Sequence, residues 1–101
     1  MLFEYKDYGY NSDQAEVELE YGLCIIYTIP LAKAKAQSVI EVKRLENDDY
    51  EAIQIKSNKK YYSDEKALRE AEEFFLSHIK DQEFSKIKEN YLGSTFEIKT
   101  L

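Results

Sequence analysis

The stretch from Glu16 to Ile29 constrains this chain more than any other. Val17, Leu19, Tyr21, Leu23, Ile25, Tyr27 and Ile29 occupy every second position. Successive side chains of a strand point to opposite faces, so this spacing predicts one β-strand with all of them on one face and Glu16, Glu18, Glu20 and Gly22 opposite. From Cys24 and Ile26 onwards the second face becomes apolar too. That end is expected to be covered on two sides or to lie beneath a helix. Pro30, the only proline, lacks a backbone donor and ends this strand or marks an edge.

Shorter elements flank this strand. Leu2 to Tyr10 alternates weakly and predicts a first strand ending near Gly9, followed by a turn at Asn11-Ser12-Asp13-Gln14. Leu31 to Gln37 is ambiguous between loop, short helix and strand. Val39, Ile40 and Val42 begin a strand running to about Leu45, and Tyr50 to Lys56 forms another around Ile53 and Ile55. Glu46 to Asp49 is the hairpin loop between them, and Ser57-Asn58 makes a second tight connection. Ser63 is placed to cap a helix, with Asp64 and Glu65 in the first turn where the helix dipole favours negative charge.

Ala67, Leu68, Ala71, Phe74, Phe75, His78 and Ile79 then repeat at helical spacing as one stripe facing the sheet. Phe84, Ile87, Lys88, Tyr91 and Leu92 repeat in the same way, but out of phase with Phe75. The helix therefore breaks or bends near Lys80 to Glu83, and a second, shorter helix ends at Gly93. Thr95 to Thr100 reads as a last strand, with Phe96 and Ile98 on one face. The fold class is α+β: an antiparallel sheet of about four to five strands against one main amphipathic helix, with a short second helix near the C-terminus.

A chain of 101 residues without repeats or linker-like tracts is read as one domain over 1–101. With 44% apolar and 34% charged residues it has the composition of a soluble protein. Its longest apolar run, Leu23 to Tyr27, is far short of the roughly 20 residues that span a bilayer. Glu4, Lys6 and Asp7 stand where a signal peptide would be basic and then apolar, so a cytoplasmic location is expected. Cys24 is the only cysteine, which excludes an intramolecular disulfide.

Catalytic chemistry finds no foothold in these residues. A reactive thiolate needs a base or a positive charge beside it. Cys24 lies in the most apolar segment and His78 on the predicted core side of the helix, so both read as packing residues. The glycines Gly9, Gly22 and Gly93 are too far apart to form a phosphate-cradling loop. Glu46, Asp48, Asp49 and Glu51 lack the spacing of a calcium loop and read as a solvated hairpin tip. One cysteine and one histidine cannot complete a structural zinc site. No catalytic residue, metal or cofactor is expected.

Charge is more informative. The net −6 is unevenly distributed: residues 1–30 hold Glu4, Asp7, Asp13, Glu16, Glu18 and Glu20 against Lys6, a net of −5. Glu16, Glu18 and Glu20, with Asp13 and Asp7 nearby, form a row that can meet a basic groove or imitate a phosphate chain. Alternating glutamates are also the ordinary outer face of a half-buried sheet. The basic counterpart is Lys56, Lys59 and Lys60 beside Tyr61 and Tyr62, a set able to contact phosphates and stack on bases. Lysine also protects sheet edges from aggregation, which accounts for these lysines without a ligand.

In size and charge alone, the chain resembles the small acidic inhibitors that phages and mobile elements direct at host nucleases and defence complexes, anti-CRISPR proteins among them. No motif carries that resemblance. It implies a non-enzymatic protein-binding module that occupies a basic site on a nucleic-acid-processing partner. The alternatives are a single-stranded nucleic-acid binder using the Lys/Tyr surface, and a structural or homo-oligomeric component built on an exposed edge or on the first strand. No membrane partner is expected.

Overall fold

The structure, a computed structural model, describes residues 3–7, 13–31, 35–46, 49–58 and 64–96. Strands β1 (Glu4–Asp7), β2 (Asp13–Leu19), β3 (Gly22–Leu31), β4 (Lys35–Glu46) and β5 (Asp49–Ser57) precede helix α1 (Asp64–Phe74). A π-helical turn (Phe75–Ile79) continues α1, and helix α2 (Phe84–Tyr91) and strand β6 (Thr95–Phe96) follow. The strands form one sheet in the order β1-β2-β3-β4-β5-β6. Every pairing is antiparallel except β5 with β6, which is parallel because both helices intervene. The α+β class and the two helices agree with the sequence reading. The sheet gains a strand because the long alternating stretch folds as two.

That stretch is a hairpin. Leu19 pairs with Gly22 across a two-residue turn of Glu20 and Tyr21, so the alternation expected to run unbroken from Val17 to Ile29 is interrupted. A two-residue loop pairs odd positions of β2 with even positions of β3: Val17 opposes Cys24 and Ala15 opposes Ile26. Direct partners share a face, so the core row switches from Ala15 and Val17 to Cys24 and Ile26. Leu23, Ile25, Tyr27 and Ile29, expected on the core face with Val17, lie on the other one. Gly22 permits the arrangement, since a Cβ built there would sit 1.9 Å from the Lys43 carbonyl oxygen.

The core lies between one sheet face and the helices. Cys24, Ile26, Ile40, Val42, Ile53 and Ile55 are buried beneath α1 and α2, with Phe75, Ile79, Phe84 and Ile87 closing over them. Fully burying a side chain such as Phe75 contributes about 1.5–3 kcal/mol. Phe74 gathers the C-terminal elements, its ring centroid lying 4.8 Å from that of Phe96 and 5.7 Å from that of Tyr91. β1 is tied down by the Phe3–Phe75 ring contact at 5.7 Å and by the Tyr5 hydroxyl, which donates to Glu72 at 2.7 Å.

Ala67, Ala71, Phe75 and Ile79 are buried as the helical spacing predicts, but His78 is exposed. The Lys80 amide donates to the Phe75 carbonyl at 2.9 Å, and this wider turn moves His78 off the core side onto the ring of Phe74, 4.7 Å away. The helix then breaks at Lys80 to Glu83, as its phase requires. Glu83 is extended, and its carbonyl accepts from the amides of Lys86 and Ile87 at the start of α2. Gly93 ends the second helix at φ 79°, a left-handed position. The expected Ser63 cap and Ile98 lie outside the described residues. No helix among the described residues is long and apolar enough to cross a membrane.

Candidate functional site

Both helices pack on the same face of the sheet. Among the described residues no element covers the other face. Its composition follows from register: Glu4, Glu16, Ile25, Glu41 and Gln54 lie side by side across β1 to β5. The next rows are Glu18, Leu23, Lys43 and Ala52 on one side and Tyr27, Val39 and Lys56 on the other. Leu23, Ile25, Tyr27, Ile29 and Leu31 thus form an apolar ridge along β3, each half-buried. Leu45 and Tyr50, paired at the β4–β5 end, are 57% and 69% exposed.

The two flanks of the ridge differ in charge. Glu4 and Glu18 are exposed and Glu16 is half-buried on the β1–β2 side. On the β4–β5 side the Glu41 carboxylate accepts from Gln54 Nε2 at 2.9 Å and lies 3.7 Å from the Lys43 ammonium. Gln54 also donates to the Tyr27 hydroxyl at 3.3 Å. Tyr27 on β3 and Gln54 on β5 flank β4, so the Tyr27 ring reaches over β4 beside Val39, which is 0% exposed. Partial burial, and secondarily the Glu41 charge, raises the Tyr27 hydroxyl above its ordinary pKa. Lys43 lies 5.7 Å from the centre of the Tyr50 ring.

Only part of the expected acidic row assembles. Glu16 and Glu18 sit on the open face, with Glu4 directly opposite Glu16. Glu20 was expected in the same row but lies in the β2–β3 turn, because the chain reverses there. Asp7 and Asp13 are register partners at the far end of the β1–β2 pair. Of the basic set, Lys56 is exposed on the open face, while Lys59, Lys60, Tyr61 and Tyr62 lie outside the described residues. Lys56 does not guard an edge, since β6 pairs with β5 at that position. What the sequence reading missed is the apolar ridge beside the acids; Gly22 directly after Glu20-Tyr21 was the signal for the turn that creates it.

The remaining candidates are engaged or closed. Cys24 is fully buried, and burial holds its thiol well above the usual pKa, whereas His78 is exposed on Phe74. At the hairpin end, Arg44 pairs with Glu51 at 3.2 Å and Glu46 at 4.0 Å, and its guanidinium lies 5.1 Å from the centre of the Phe84 ring. Lys88 also donates to Glu51, and this bond lowers the Glu51 carboxyl below its ordinary pKa, with the Lys88 and Arg44 charges adding to it. Asp48 is outside the described residues, among which no group of three or more candidate ligands could hold a metal ion. Comparison with protein-family models, curated proteins and solved structures finds no match.

Proposed function

We propose that this chain is a non-enzymatic protein-binding module, an inhibitor that lays its open sheet face over a basic site on a nucleic-acid-processing partner. The observation that carries this reading is the register of β2 on β3, which sets Glu16 beside Ile25 and Glu18 beside Leu23. An aliphatic ridge supplies apolar area, and the adjoining carboxylates select a partner whose own apolar strip is flanked by lysine or arginine. Acidic residues on one flank steer the encounter, and the ridge holds the complex once formed.

Mixing the full chain with nucleic-acid enzymes that have basic grooves, and measuring association against salt, tests this reading. Binding is expected to weaken as salt rises, to weaken again in Glu16→Gln and Glu18→Gln, and to be lost in Ile25→Asp. Salt-insensitive association that tolerates all three substitutions removes the mechanism.

A further inference from the structure

We propose that Glu41, with the Tyr27 ring and Gln54, receives an arginine side chain of the partner in the middle of the open sheet face. This role depends on the inhibitory reading of that face and states what the partner brings to it. Glu41 lies on β4, with Ile25 of β3 beside it on one flank and Gln54 of β5 on the other. It stands apart from Glu4 and Glu18, which are exposed at the acidic flank, since its side chain is only 17% exposed.

The two oxygens of this carboxylate are served unequally. Oε1 accepts from Gln54 Nε2 at 2.9 Å. Oε2 has the Lys43 ammonium at 3.7 Å, a distance at which opposite charges attract but no hydrogen bond forms. Lys43 is drawn the other way as well, its ammonium lying 5.7 Å from the centre of the Tyr50 ring. A partner that seals the ridge at Ile25 also shuts water out from Glu41. A buried charge short of hydrogen bonds is costly, so the partner has to supply a donor at the second oxygen.

Arginine meets this demand better than lysine. Its planar guanidinium is weakly hydrated, turns an edge of donors towards a carboxylate and stacks on an aromatic face. Tyr27 supplies the face: its half-buried ring reaches over β4 to Gln54, whose Nε2 donates both to the Tyr27 hydroxyl, at 3.3 Å, and to Glu41. Carboxylate and ring are thus held together through one amide. Ile25, on the other side of Glu41, offers an apolar bed for the arginine stem. The centres of protein interfaces are enriched in arginine and depleted in lysine for the same physical reasons.

A short peptide tests the receptor directly. NMR titration of the full chain with acetyl-Leu-Arg-Leu amide, up to about 10 mM to cover weak binding, is expected to shift the Gln54 side-chain amide and the Ile25 methyl signals. Citrulline in place of the arginine removes the charge and keeps the shape, and is expected to weaken binding about threefold or more. Glu41→Gln, which retains an acceptor for Gln54, should erase that difference. Glu73→Gln, an equal change of net charge on the exposed side of α1, should not. Lys43→Gln removes a competing cation and should widen it. Absence of shifts at Gln54 and Ile25, equal binding of the two peptides, or a preference that survives Glu41→Gln overturns the assignment. So does a preference lost in Lys43→Gln or in Glu73→Gln. The inhibitor reading is judged separately, by the salt dependence of association with basic enzymes, so either can fail alone.

Discussion

Glu18 and Leu23 are direct cross-strand partners, an exposed carboxylate beside a half-buried aliphatic chain on the face that carries no helix. Their adjacency exists only because the chain turns at Glu20-Tyr21. In one unbroken strand they would point to opposite faces, since their positions differ by an odd number.

The parity switch is testable at two neighbouring residues. Ile26 is 0% exposed in the core, while Ile25 is half-buried on the open face. Ile26→Ala is expected to cost about 2–5 kcal/mol by urea denaturation, and Ile25→Ala about 1 kcal/mol or less. The reverse order would restore the single strand and discard the ridge.

Gly22 provides a second measurement. Any Cβ there meets the Lys43 carbonyl oxygen, and backbone on both sides must move to relieve the clash. Gly22→Ala is expected to lower stability by about 3 kcal/mol. Gly93→Ala, strained only by its φ of 79° in otherwise open space, is expected to cost about 1–2 kcal/mol. Equal effects in thermal or urea unfolding would refute the tight β3–β4 approach.

Acid titration reports on the tie between α2 and the β4–β5 hairpin. The Lys88 hydrogen bond lowers the folded pKa of Glu51. A depressed carboxyl stabilises the fold above its unfolded pKa, and that contribution is lost as pH falls through the folded value. The stability difference between the original chain and Glu51→Gln should therefore shrink as the pH falls through the acid range. Lys88→Gln should return the Glu51 titration, followed by NMR, towards the ordinary carboxylate range.

Alkaline titration behaves oppositely. Tyr5 and Tyr21 are each pushed up to about 12, in both cases mainly by partial burial, with the Glu72 hydrogen bond adding to it at Tyr5. The neutral phenol is then favoured in the folded chain. Its stabilisation is complete below the ordinary value of 10.0 and declines as pH rises towards 12. Absorbance titration should show these phenolates appearing late and together with unfolding. In Tyr5→Phe the late group should diminish.

Cys24 offers a probe of the core. It is buried and its thiol pKa is raised, so native-state modification should require unfolding and follow its rate. Rapid labelling of the folded chain would contradict the burial of β3 beneath α1.

Local periodicity determined a great deal of this molecule. The helical stripe through Ala67, Ala71, Phe75 and Ile79, the loss of phase before Phe84 and the left-handed Gly93 could be read directly, because each depends on residues within a few positions of one another. The β4–β5 hairpin around Glu46 to Asp49 was legible for the same reason, whereas the pairing of β3 with β4 was not, because Leu31 to Gln37 reads equally as loop, short helix or strand. His78 was misplaced because a π turn is decided by packing around Phe74 and Phe75, not by helical spacing. The face assignment of Leu23 to Ile29 failed for a related cause. A two-residue turn leaves alternation unbroken in the sequence while reversing its meaning in space, and only the pairing of β3 with both β2 and β4 resolves it. The acidic residues were thus visible from the start, but the surface they border was decided by tertiary register, which brought Glu16 and Glu18 alongside Ile25 and Leu23.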